Sequence, residues 1–166
     1  MAPLARRKQL ALDSNVPLDL ADGLEPAYTF RDVFQERGYE LIVPPTVVSE
    51  LTLKAQGDDR KAALSMTALQ RLREWGIHPY DLKSVGHGIT EEFARRLIAR
   101  GLLPEGEFND GLILAETSLA GIPALVTSDG HLTDIPSQEL EVEFDEADLS
   151  RVTVAHPGRL LRALIR

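Results

Sequence analysis

The chain has 166 residues, of which 43% are hydrophobic and 27% are charged, and its net charge is −8. This composition is typical of a globular protein and excludes a disordered or fibrous chain. Because the sequence has no cysteine, disulfides, thiolate metal sites and cysteine nucleophiles are excluded, and a reducing compartment fits best. We expect one domain over residues 1–166 and a cytoplasmic location.

The N-terminus is basic, with Arg6, Arg7 and Lys8 before an apolar run over residues 10–12. That run is too short for a signal-peptide core, and no stretch approaches the ~20 apolar residues of a membrane span. The negative net charge argues against a protein that coats nucleic acid non-specifically, because such binding depends on Lys and Arg. It leaves open an enzyme that meets nucleic acid at a bound metal ion, whose charge reverses the local field.

The first half of the chain alternates short β-rich runs with helical patterns. The run at residues 10–12 is predicted to be a buried strand that ends at Asp13. Thr46 is predicted to cap a helix, which places Glu50 in the first or second turn. The other predicted elements are helices over residues 16–21, 30–37, 47–56 and 59–75 and a strand over residues 39–43.

The second half continues the alternation. Thr90 is predicted to cap a helix that stops at Gly101, and Asn109 or Asp110 to cap one that stops at Gly121. The acid-rich stretch 134–148 alternates polar and apolar residues, which favours an exposed edge strand or a loosely held loop. The remaining elements are a strand or connector at 77–85, strands over 122–127 and 152–155, and a helix from residue 157.

This order predicts an α/β fold, a three-layer α/β/α sandwich with a mainly parallel, Rossmann-like central sheet. In such sheets the ligand crevice lies beyond the carboxyl ends of the strands. Asp13 and Asp129 both follow predicted strands, so we expect them to lie at that edge.

Four acids, Asp13, Glu50, Asp110 and Asp129, are the candidate functional residues. Taken singly, the last three have ordinary explanations: Glu50 as a solvated helix residue, Asp110 as a helix cap and Asp129 as a turn residue. Gathered at one sheet edge they would repel one another unless a cation compensated them. Mg²⁺ and Mn²⁺ prefer such oxygen ligands and can activate a water for phosphodiester hydrolysis.

The surrounding residues resemble the four motifs of the PIN-domain ribonucleases, especially the VapC-like toxins of toxin–antitoxin pairs. Leu-Asp-Ser-Asn-Val at residues 12–16 is similar to the first motif and Val-Ser-Glu-Leu at residues 48–51 to the second. Asn109-Asp110, followed by Ile113 and Ala115, resembles the third. The stretch LVTSDGHL at residues 125–132 resembles the fourth, in which Thr127 and Asp129 match a paired hydroxyl and acid.

The resemblance implies a PIN-like fold and an Mg²⁺- or Mn²⁺-dependent endoribonuclease, the toxin of a type II toxin–antitoxin pair. Asp13, Glu50, Asp110 and Asp129 would be the metal-binding and catalytic residues, supported by Asn15, Thr127 and Ser128. It also implies an RNA substrate, products with a 5′-phosphate and a 3′-hydroxyl, a cognate antitoxin and a homodimer.

Two features depart from the family pattern. His131-Leu132 stands where many relatives carry an acid and an aromatic residue. The segment 57–88 is longer than a minimal member of the family needs, and it could bind an RNA, an antitoxin or a second subunit.

Other interpretations remain open. A non-catalytic PIN-like scaffold that binds RNA or protein is the alternative function. The basic pairs Arg60-Lys61, Arg71-Arg73 and Arg95-Arg96 could contact an RNA backbone, although neighbouring acids favour solvated helix faces. A phosphatase of the haloacid-dehalogenase type needs a second acid two residues after Asp13, where the sequence has Asn15.

Overall fold

The computed structural model describes residues 8–165 and contains a five-stranded, all-parallel sheet in the order β3-β2-β1-β4-β5. The basic residues Arg6 and Arg7 and the last residue, 166, lie outside the described residues. The strands are β1 (Lys8–Leu12), β2 (Tyr39–Val43), β3 (Ile77–Pro79), β4 (Ala124–Val126) and β5 (Thr153–Ala155).

Helices connect the strands, with a short 3-10 turn at Glu105–Glu107. In chain order they are α1 (Asn15–Ala21), α2 (Glu25–Glu36), α3 (Pro45–Ala55), α4 (Arg60–Arg71), α5 (Ser84–Ala99), α6 (Phe108–Leu119), α7 (Gly130–Thr133), α8 (Ser137–Glu146) and α9 (Pro157–Ile165). Among the described residues, no helix is both long and apolar enough to cross a membrane.

The central strand β1 lies between β2 and β4, and its last residues, Ala11 and Leu12, pair with Leu125 and Val126. Consecutive residues of β1 are buried, although successive side chains of a strand point to opposite faces of the sheet. Both faces are therefore covered, as in other parallel sheets. The predicted α/β sandwich with a parallel central sheet is confirmed.

The edge strand or loop predicted for the stretch 134–148 is wrong, because residues 137–146 form α8. Leu140 and Phe144, four residues apart, are 3% and 0% exposed, whereas Val142 is 50% exposed. The buried set follows the helical period, and Phe144 stacks on Phe93 of α5 with ring centroids 4.8 Å apart. In the sequence, acids alternate with the apolar residues 140, 142 and 144, and this two-residue period is the one expected of a strand.

Two predicted caps are also wrong. The helix α3 begins at Pro45, so Thr46 lies inside its first turn, and its hydroxyl hydrogen-bonds a glutamate of another helix. The helix α5 begins at Ser84, so Thr90 lies within it and donates to the His87 carbonyl. Gly86 and Gly88 do not interrupt this helix, which packs against α6.

Several boundaries differ by a few residues. The helix α6 begins at Phe108, which puts Asp110 in its first turn instead of at the cap. The predicted helix 59–75 ends at Arg71, while Asp59 caps its start by accepting a hydrogen bond from the Ala62 amide. The helix α7, one turn long, has no counterpart among the predicted elements.

Candidate metal site

Three aspartates from three different elements meet at the carboxyl edge of the sheet. Asp13 directly follows β1, Asp129 lies three residues after β4, and Asp110 is in the first turn of α6. One carboxylate oxygen of each lies within 4.8 Å of the others. Because β1 and β4 are neighbouring parallel strands, their ends deliver Asp13 and Asp129 to the same place.

The carboxylate of Asp13 is held by donors on both oxygens. Its Oδ1 accepts a hydrogen bond from the Ser14 amide at 2.8 Å. Its Oδ2 accepts from the Thr127 hydroxyl at 2.7 Å and from the Asn15 amide group at 3.2 Å. Burial raises the pKa of Asp13, and the hydrogen bonds from Thr127 and Ser14 oppose that rise. The side chain is therefore fixed in one orientation toward the cleft.

Thr127 and Asn15 extend this frame to the loop after β4. The Thr127 hydroxyl accepts from the Asp129 amide and from the Asn15 side chain, both at 3.0 Å. The side-chain carbonyl of Asn15 accepts from the Ser128 amide at 3.1 Å. Asp129 in turn caps α7, because its Oδ1 accepts from the His131 amide at 2.9 Å. The backbone that carries Asp129 is thus tied to the side chains around Asp13.

Asp110 has a strongly perturbed carboxyl group. Its Oδ2 is buried and has no hydrogen-bond partner among the described residues. Burial, followed by the charges of Asp13 and Asp129, raises its pKa to about 9. A buried carboxyl oxygen without a donor, on a side chain close to two further carboxylates, is what a divalent cation would satisfy. The donor set contains only oxygen, so it fits a hard divalent cation.

Glu50 lines the same cleft from α3, although it is not one of the three mutually close acids. Burial, followed by the charge of Asp13, raises the pKa of Glu50. The cleft has a volume of about 290 Å³, and Lys54 and Lys61 line it together with the acids. Lys54 lowers the pKa of Asp13 and of Glu50, so its ammonium acts on the cluster.

Glu116, a buried acid behind the cleft, is absent from the candidates that the sequence motifs indicate. Its side chain accepts hydrogen bonds from the Thr46 amide and hydroxyl, and it is 3% exposed. A signal is present in the pattern of α6. Residues 113–118 of that helix are apolar or small apart from Glu116, and a helix that is apolar all round is a buried one.

The histidines and basic pairs lie largely outside this arrangement. His131 has its Nε2 3.6 Å from an oxygen of Glu107, and the Nδ1 of His156 accepts from the Gly158 amide. Among the basic pairs, Lys61 lines the cleft. Four arginines of those pairs form ion pairs with acids, in agreement with solvated helix faces: Arg60, Arg71, Arg95 and Arg96.

No protein-family model matches the sequence, and no curated protein sequence matches it. Solved structures match its fold. A chain in the crystal structure of VapBC2 from Rickettsia felis, bound to a DNA fragment from their promoter, aligns with a TM-score of 0.61 and 14% identity. The alignment covers 89% of this chain and 98% of that one. A chain of VapBC-1 from nontypeable Haemophilus influenzae aligns with a TM-score of 0.58 and 15% identity, over 90% and 98% of the two chains.

This chain therefore has the fold of the aligned chains of VapBC2 and VapBC-1, and the PIN-like fold that its four motifs predicted is confirmed. At such low identity the likeness establishes the fold, and activity has to be argued from the site.

Proposed function

We propose that this protein is an Mg²⁺- or Mn²⁺-dependent endoribonuclease that hydrolyses RNA phosphodiester bonds. The observation that carries the proposal is the convergence of Asp13, Asp110 and Asp129 within 4.8 Å, with one Asp110 oxygen buried and unpartnered among the described residues. Three carboxylates without a neutralising cation are costly to keep ionised, so their arrangement suits a positively charged occupant.

Each residue has a distinct part in this proposal. Asp13, Asp110 and Asp129 would hold the ion, and Glu50 would be a further ligand or orient the attacking water. A divalent ion at such a site lowers the pKa of a water and neutralises charge on the phosphate. Asn15 and Thr127 keep Asp13 in place by the hydrogen bonds described above, and Ser128 contributes its backbone amide to Asn15.

Substrate binding requires cations, because the cleft is rich in acids. Lys54 and Lys61 line it, and neither forms an ion pair with an acid among residues 8–165. We assign them to phosphates next to the scissile bond. An ammonium group suits this role because it binds phosphate as a mobile point charge. A 5′-phosphate and a 3′-hydroxyl are the expected product ends, from the family resemblance.

Metal-dependent cleavage of RNA is the direct test. We expect the purified protein to cleave RNA in Mn²⁺ or Mg²⁺ and to be inactive in EDTA. Asp13→Asn should lose activity about a hundredfold or more, the range for removing a group that acts in the transition state. Asp148→Asn is the matched control, because Asp148 is exposed and its positive φ of 57° suits asparagine. Cleavage that persists in EDTA or in Asp13→Asn would contradict the mechanism.

We also propose a biological role as the toxin of a type II toxin–antitoxin pair, which the likeness to the VapBC structures supports. We propose a cognate antitoxin as a protein partner and a homodimer as the assembly. Expression should arrest growth, and Asp13→Asn should relieve the arrest while Asp148→Asn does not. Co-expression of a protein encoded directly upstream should restore growth, and sedimentation would give the assembly's mass. A folded wild-type protein whose expression leaves growth unchanged would contradict the toxin role.

The non-catalytic scaffold makes the opposite prediction for metal binding. An intact site should be stabilised by Mn²⁺, because a ligand that binds only the folded state raises its stability. A scaffold without a working site should show no thermal shift with Mn²⁺ and should bind RNA equally well in EDTA. The presence of all four acids is the observation that favours the enzyme.

A further inference from the structure

Glu116 is a buried acid that lies outside the proposed metal-binding triad and connects α6 to α3. Its Oε1 accepts from the Thr46 amide at 3.0 Å, and its Oε2 accepts from the Thr46 hydroxyl at 2.6 Å. The Tyr80 hydroxyl donates to the Glu116 carbonyl at 2.8 Å. Glu116 therefore joins α6, the first turn of α3 and the connector after β3.

Burying the Glu116 carboxylate costs more free energy than a role in packing alone would justify. Glu116 is 3% exposed, and it forms no ion pair with any residue in the range 8–165. Burying a carboxylate costs free energy unless hydrogen bonds compensate it, and an apolar side chain would fill the same space at lower cost. Buried polar networks that are fully hydrogen-bonded instead select one arrangement of the elements they join.

The elements joined here both carry residues of the proposed site. Asp110 lies in the first turn of α6, and Glu50 lies four residues after Thr46, so Thr46 and Glu50 share one face of α3. The Thr46 amide belongs to the first helical turn, where backbone donors lack partners within the helix. Glu116 supplies that partner from α6, and so fixes where α3 begins.

We propose that Glu116 is a positioning residue that acts through Thr46 to hold Glu50 at a fixed place relative to the aspartate triad. The inference rests on the proposed function, since Glu50 is expected to work there with the bound ion. Glu50 depends on such a device because it reaches the cleft from α3 while the triad is fixed by the ends of β1 and β4 and by α6. Tyr80 belongs to the long segment 57–88. Its hydrogen bond to the Glu116 carbonyl gives part of that segment a structural role.

The test uses paired variants that differ in one hydrogen bond. Thr46→Val keeps the side-chain shape but removes the hydroxyl donor, and Thr46→Ser keeps the donor. Glu116→Met removes both acceptors, whereas Glu116→Gln keeps a two-point contact, since its carbonyl accepts from the amide and its NH₂ donates to the hydroxyl. Crystal structures of the metal-free variants measure the position of the Glu50 carboxylate. Cleavage kinetics on RNA in Mn²⁺ measure kcat and KM.

We expect Thr46→Val and Glu116→Met to displace the Glu50 carboxylate and to lower kcat about tenfold or more with KM nearly unchanged, as for outer residues that orient metal ligands. Thr46→Ser and Glu116→Gln should remain near wild type. In the background of Glu50→Gln, Thr46→Val should cause little further loss, because residues that act through one another are not additive.

Three results would overturn the inference. They are an unmoved Glu50 carboxylate in Thr46→Val, losses that add fully to those of Glu50→Gln, or a failure of both Thr46→Val and Glu116→Met to fold, which shows a structural role only. A wild-type protein without nuclease activity would refute the proposed function instead. The position of Glu50 in the metal-free structures would then decide the positioning role by itself.

Discussion

Replacing Asp110 by asparagine should stabilise the metal-free protein at neutral and alkaline pH and flatten its pH dependence. Burial and the charges of Asp13 and Asp129 raise the pKa of Asp110 to about 9, from an ordinary value of 3.8. Between those values the folded chain keeps a proton that the unfolded chain has lost. The stabilisation that comes from this retained proton is therefore complete at low pH, and it is lost as the pH rises toward 9.

The magnitude follows from one proton. A difference of one bound proton between the folded and unfolded states changes the free energy of unfolding by about 1.4 kcal/mol per pH unit. From pH 6 to pH 8 the wild type should lose about 3 kcal/mol more than Asp110→Asn, because asparagine is neutral throughout. Asp13 and Glu50 also have raised pKa values, but they are present in both proteins and largely cancel in the comparison.

Urea unfolding in EDTA, followed by circular dichroism at several pH values, measures this difference. Addition of Mn²⁺ at pH 8 should then reverse the order of stability, because the wild type gains binding free energy and Asp110→Asn loses a ligand. Two proteins with parallel stability curves from pH 6 to pH 8 would refute the assignment of the retained proton to Asp110. Failure of Mn²⁺ to stabilise the wild type would refute the metal site.

Three further outcomes are expected. Mn²⁺ affinity should rise about tenfold per pH unit below pH 9, with release of about one proton, as calorimetry in buffers of different ionisation enthalpy would show. Lys61→Gln should raise KM for RNA and reduce the salt dependence of binding by about one phosphate contact while Mn²⁺ affinity stays unchanged. Gly111→Ala should destabilise the fold by about 1–3 kcal/mol in urea titrations, because its Cβ would lie 2.7 Å from Ala94 atoms. Gly86→Ala, with neighbours at 3.5 Å, should be neutral or stabilising.

Rules about single strands are enough to predict much of the fold and part of the site. The strand β2 has the predicted bounds, and β1, β4 and β5 overlap the predicted strands at residues 10–12, 122–127 and 152–155. Because parallel strands end at a common edge, the two predicted strands are sufficient to bring Asp13 and Asp129 together. Asp110 requires a further step, since only the resemblance in motif order connects the start of α6 to that edge.

Contacts between helices could not be predicted in the same way. The residues around Thr46 indicate a local cap, but its hydroxyl is satisfied by Glu116, which is 70 positions away in the sequence. The helix at residues 137–146 buries Phe144 against Phe93 of α5, a contact between distant parts of the chain that no local pattern contains. Tertiary packing overrides local preference in both cases, as it commonly does for short segments.

The helix dipole and the surroundings of Asp110 shift its pKa in opposite directions. A carboxylate in the first turn of α6 gains from the helix dipole, but that gain is about 2 kcal/mol at most, or about one and a half pKa units. Burial and two neighbouring carboxylates outweigh it and hold the pKa of Asp110 at about 9. The metal-free chain therefore tolerates the triad by keeping Asp110 protonated. A proton and a divalent ion would then compete for the same carboxylate, so metal occupancy would set the charge of the whole cleft.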